Sequence, residues 1–149
     1  MKHLNPDELL STAELFPSLE TAPKMTPAQR MDRWAKVLDE YDGPICALRR
    51  LEYLRGDQLR EYRGTNTPLT VAYSDPILRA DGLRGDSLGE AMDFFALSDQ
   101  DAHHLLCDCH YHGTMTASGL ASRIRQHMRR QERWEGWTRV ARKVFGWAR

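Results

Sequence analysis

Four of the six histidines and two of the three cysteines lie in one run, Ser98-Asp99-Gln100-Asp101-Ala102-His103-His104-Leu105-Leu106-Cys107-Asp108-Cys109-His110-Tyr111-His112-Gly113. Imidazole and thiolate are common ligands for borderline-soft metals, and they also serve as base and nucleophile. Placed on a helix at about 100° per residue, His103, Cys107 and His110 rise along one stripe at i, i+4, i+7. As metal ligands they suit zinc, with iron as the alternative ion. A single helix does not wrap a tetrahedral ion, so a further ligand is expected from Cys46, His127 or an acidic residue. His104 and Asp108, four apart, can hydrogen-bond beside them. Neither Cys-x-x-Cys nor His-Glu-x-x-His occurs, so the spacing matches no established zinc signature.

The same stripe has two other readings. Cys107 can act as a thiol nucleophile activated by His103 or His110, four residues before it and three after it. On the expected helix Cys107 sits in the second half, where the dipole opposes a thiolate. Alternatively the stripe is a partly exposed face with no chemistry. Ala102, Leu105, Leu106 and Cys109 share a different face, so Cys109 is expected as a small buried hydrophobe.

A second candidate surface is the tail. From Arg123 to Arg149 there are nine basic and two acidic residues, whereas Met1 to Ser122 holds twelve basic and nineteen acidic. Arg129, Arg130, Arg133, Arg142 and Lys143 are interleaved with Trp134, Trp137 and Trp147. Such a helix can enter a partner's groove, lie on an anionic membrane or follow nucleic-acid phosphates. It can also close the core with Trp134 and Trp137, because apolar stripes on helices usually face inward.

These residues need helices to position them. Four helix starts carry a capping side chain followed three residues later by an acid or amide: Asn5 with Glu8, Thr26 with Gln29, Ser87 with Glu90, and Ser98 with Asp101. The spacing predicts helices over Pro6–Leu15 and Pro27–Tyr41, the latter burying Met31, Trp34, Ala35, Leu38 and Tyr41. Ser18 to Met25 reads as a linker. Ile45, Leu48, Leu51 and Leu54 predict a short helix broken near Gly56, and Gln58 to Tyr62 a further turn or two. Thr67 to Tyr73 is β-prone but has no mate, which favours an extended or helical connector. Asp75 to Ala80 predicts a short helix closed by Gly82. Leu88, Ala91, Met92 and Phe95, widened by Phe94, mark the next helix. The Cys/His helix is expected to run to His112 and stop at Gly113. Leu120, Ala121, Ile124 and Met128 begin a tail of one long helix, or two divided near Gly136. Gly-Asp before a helix, at Gly56 and Gly85, supplies a turn and a cap. That local role also accounts for the Arg84-Gly85-Asp86-Ser87 match to adhesion peptides.

The expected architecture is therefore all-α, an irregular bundle of about six to eight mostly short helices with a longer basic amphipathic C-terminal helix. At 149 residues one domain is expected, with an acidic body over 1–115 and a basic segment over 116–149. Three cysteines cannot all pair within one chain, and the start lacks the apolar run of a signal peptide, which together favour a reducing, cytoplasmic setting. No glycine-rich phosphate loop is present. The functional expectation is a small binding or regulatory module that engages a protein, or an anionic surface such as membrane or nucleic acid, through its tail. A homo-oligomer is compatible with it. The alternative is a metal-dependent protein, with zinc or iron and a hydrolase as one form of it, centred on the Cys/His-rich helix 98–112.

Overall fold

A computed structural model describes residues 24–112 and 114–145, without the side chains of residues 144 and 145. The expected helix over Pro6–Leu15, the Asn5 cap, Gly113 and Trp147 lie outside the described residues. Within them the chain is all-α, with seven α-helices and no strand. These are α1 (Pro27–Asp39), α2 (Gly56–Arg60), α3 (Pro68–Ser74), α4 (Pro76–Asp81), α5 (Leu88–Phe95), α6 (Asp99–Leu106) and α7 (Ala117–Phe145).

The helix starts follow from capping chemistry. Thr26 and Gln29 close a reciprocal box on α1, with Pro27 in the first turn. Ser98 and Asp101 close one on α6, the shorter Asp serving as well as Glu. Ser87 caps α5 by accepting from the Glu90 amide. Thr67 and Asp75 cap α3 and α4 in the same way, each just before a proline. That cap turns the β-prone Thr67–Tyr73 stretch into a helix, since propensity yields to local hydrogen bonding. Gly82, at φ 121°, ends α4 in a backbone conformation that L side chains rarely adopt.

The core lies between α1 and the first half of α7. Met31, Trp34, Ala35 and Leu38 of α1 are buried, as are Leu120, Ala121 and Ile124 of α7. Each fully buried leucine contributes roughly 1.5–3 kcal/mol. Trp34 stacks on Phe95 with ring centroids 4.6 Å apart. Its indole N–H donates to the Pro68 carbonyl at 3.1 Å, so the buried polar atom is satisfied. Arg125 of α7 pairs with Asp39 of α1 at 2.5 Å, closing the far end. Gly89 lets α5 approach α2, because a Cβ there would meet the Arg60 carbonyl at 2.9 Å.

Two expectations need correction here. α1 ends at Asp39, so Tyr41 falls beyond it and is 36% exposed rather than part of the buried stripe. The Ile45–Leu54 segment is not a helix. Ile45, Leu48 and Leu51 are buried, but the chain is irregular until a 3-10 turn over Leu51–Tyr53. Its backbone bonds go elsewhere: Cys46 N–H donates to the Asn66 carbonyl at 2.7 Å, and Leu48 pairs with the chain at Cys107.

Candidate metal centre

The Leu48–Cys107 pairing also reshapes the Cys/His run. Leu48 N–H donates to the Leu106 carbonyl at 2.8 Å, and Asp108 N–H donates to the Leu48 carbonyl at 2.9 Å. A helix end leaves carbonyls without intrahelical partners. Here Leu48 satisfies Leu106, the Tyr111 hydroxyl donates to Leu105, and Cys107 N–H donates to His103. The helix expected to reach His112 therefore stops at Leu106. Cys107 turns extended at φ −70°, ψ 136°, and Asp108–His110 form a 3-10 turn.

Breaking the helix exchanges the two cysteines. Cys107 is fully buried and Cys109 is exposed, the reverse of what a continuous wheel predicts for Cys109. Ala102, Leu105 and Leu106 keep their predicted places in the core. The expected His104–Asp108 pairing is lost for the same reason, because the two residues no longer share a helix.

The new geometry gathers a set of donors. One ligand atom each from Glu52, His103, Cys107 and Cys109 lies within 4.8 Å of the others. They come from three segments: the Leu51–Tyr53 turn, α6, and the turn after it. The Leu48 bridge holds the first against the last. Two edges of the group are short, with Cys107 Sγ 3.3 Å from Glu52 Oε2 and Cys109 Sγ 3.6 Å from His103 Nε2. Tetrahedral zinc with bonds of about 2.0–2.3 Å implies ligand separations of roughly 3.3–3.8 Å. Those two edges already have that length, so the four residues can hold a metal ion.

His103 and Cys107, expected as ligands, belong to this group. His110 stands outside it, with its Nε2 3.1 Å from His103 Nδ1. When His103 carries its proton on Nδ1, its Nε2 faces the cysteines and is free to ligate. Metal-binding histidines generally have an outer hydrogen bond of this kind. The carboxylate contemplated as an extra ligand is Glu52. No spacing rule connects it to the Cys/His run, and only the Leu48 bridge brings it there. Cys46 is exposed and not in the group.

Electrostatics disfavour Cys107 as a nucleophile. Burial, reinforced by hydrogen bonds with Cys109 and Glu52, pushes its thiol up to about 12. The metal-free thiol is then un-ionised at neutral pH and shielded from reagents. Burial also pushes His110 below the usual imidazole range, aided by His103, His104 and Arg123. His104 is lowered by burial and then by Arg123, Arg130 and His127.

A cleft of about 1020 Å³ opens between α6 and α7, lined in part by His103, His104, His110, His127, Arg130 and Trp134. A smaller one of about 330 Å³ reaches Glu52 and His103 from the other side, over Leu51, Leu59 and Leu88. Beyond it the tail is one helix, unbroken at Gly136. Trp134 and Trp137 are 73% and 74% exposed, so they do not close the core. Arg129, Arg130, Arg133, Arg142 and Lys143 are exposed along the same helix. Among the described residues no helix is long and apolar enough to cross a membrane. Comparisons with family models, with curated proteins and with solved structures find no match to this chain.

Proposed function

We propose that this protein is a zinc-binding helical module whose ion sits among Glu52, His103, Cys107 and Cys109. The observation that carries the reading is the convergence of two thiols, one imidazole and one carboxylate from three separate segments. Thiolate with imidazole selects zinc over harder ions, which prefer oxygen-only sites. Four protein donors leave no open position, which favours a structural centre over a hydrolytic one. The ion fastens the irregular chain around Leu48–Leu54 to α6 and to the turn that follows it. Part of its binding free energy then becomes folding free energy.

Cobalt(II) titration of the reduced full chain tests this. Cobalt in a tetrahedral site with two thiolates gives intense visible ligand-field bands and near-ultraviolet thiolate charge transfer. Those bands should saturate at about one ion per chain and disappear on adding zinc. Weak, octahedral-type absorption with no charge transfer would refute the assignment.

A further inference from the structure

The outer face of α7 carries a second and independent assignment. The helix has 29 residues, and its first half packs on α1 through Ile124 and Met128. At about 100° per residue, Trp134, Trp137 and Val140 lie roughly 100–160° around the helix from that stripe. Trp137 and Val140 therefore point away from the body, Trp134 stands at the rim of the α6–α7 cleft, and all three are more than half exposed. Trp137 and Val140 line a shallow hollow with Arg133 and Gly136.

Charge is segregated around the same helix. Arg129 and Arg133, with Arg130 at the edge of the α6–α7 cleft, lie about 120–160° from the packed stripe. The two acids of this stretch, Glu132 and Glu135, line the inner groove with Pro27 and Met31. The outward sector is left apolar and purely cationic. From Arg129 to Lys143 there are six basic residues and two acidic ones.

We infer that this face of α7 docks on an anionic lipid surface. The helix lies in the headgroup plane with Trp134, Trp137 and Val140 turned toward the acyl chains. Indoles favour that boundary, and arginine can bury its stem while its guanidinium reaches a lipid phosphate. A symmetric pairing with a second copy would set the three arginines of one face against those of the other. Nucleic acid would satisfy the arginines but has no use for the Val140 hollow.

The test mixes the full chain with vesicles of phosphatidylcholine alone or with added phosphatidylglycerol, and reads co-sedimentation and tryptophan emission. Three arginines at about 1 kcal/mol each imply about 100-fold tighter binding to the anionic vesicles. High salt should remove most of that preference. Trp134→Ala with Trp137→Ala should weaken anionic-vesicle binding about tenfold or more, and Arg130→Gln with Arg133→Gln should cut the lipid preference about 30-fold. Unchanged far-ultraviolet dichroism in both variants keeps the result separate from misfolding. Equal binding to the two lipids, no binding to either, or wild-type binding by the variants would overturn the assignment. So would an indole-dependent dimer in sedimentation velocity, or capture of an oligonucleotide by a chain that ignores vesicles.

Discussion

His103 and His110 meet edge to face, with Nε2 of His110 3.1 Å from Nδ1 of His103. The contact fixes which nitrogen of His103 faces the cysteines. His103→Ala should therefore abolish zinc binding. His110→Ala should leave the ion bound but weaken it about 10–100-fold, the usual cost of losing an outer hydrogen-bond partner. Competition against a chromophoric chelator measures both. Equal loss in the two variants would make His110 a ligand instead.

The two cysteines should separate in metal-free protein. Cys107 is fully buried and Cys109 is exposed. Cys107→Ala should destabilise the chelated protein by about 1 kcal/mol through lost packing, and Cys109→Ala by less than about 0.5 kcal/mol. Urea unfolding with chelator present reads the difference. Both variants should lose the zinc.

The raised Cys107 thiol gives an alkaline signature. A group whose folded pKa lies above its unfolded value stabilises fully below the unfolded pKa and loses that contribution as pH rises. Metal-free protein should therefore weaken from about pH 8.5, the free-thiol value, upward, with the folded thiol at about 12. Cys107→Ala should flatten that decline. Zinc binding has the opposite dependence and should tighten with rising pH, because the ion displaces the thiol protons. Unfolding curves and zinc competition at several pH values check both directions.

On the acid side Asp75 and Asp81 should both contribute, since both carboxyls are held below the usual range. Burial pushes the Asp75 carboxyl up, but hydrogen bonds from Arg33 and the Leu78 amide outweigh this. The Arg33 contact is 2.5 Å, and the Asp75 side chain is 4% exposed. Its stabilisation is present above the ordinary carboxylate pKa and is lost as pH falls through the depressed one. Asp75→Ala removes a helix cap and strands Arg33, at a cost of about 2–4 kcal/mol. Thermal unfolding across acid pH should show a shallower decline in the variant than in the wild type.

Much of the fold was legible because its signals are local. The caps at Thr26, Ser87 and Ser98 and the stripe of Met31, Trp34, Ala35 and Leu38 each lie within a few residues of the element they specify. The site was legible only in part. His103 and Cys107 stood out by type, but Glu52 and Cys109 depend on the Leu48–Cys107 bridge. That bridge is backbone hydrogen bonding between distant segments, and no side-chain periodicity encodes it. A wheel that extends α6 past Leu106 places Cys109 in the core, whereas the turn after Leu106 brings it to the surface. For Trp134 and Trp137 the apolar pattern was real. Once the helix is known to be unbroken at Gly136, the same periodicity that buries Ile124 and Met128 sets both indoles about 100–160° off that stripe.

The central claim is most directly tested by bound metal per chain, measured by elemental analysis on untagged protein purified under reducing conditions. Wild type and Cys46→Ala should each carry about one zinc per chain, and Cys109→Ala none. No metal in the wild type even after incubation with zinc, or undiminished zinc in Cys109→Ala, would contradict a centre built from Glu52, His103, Cys107 and Cys109.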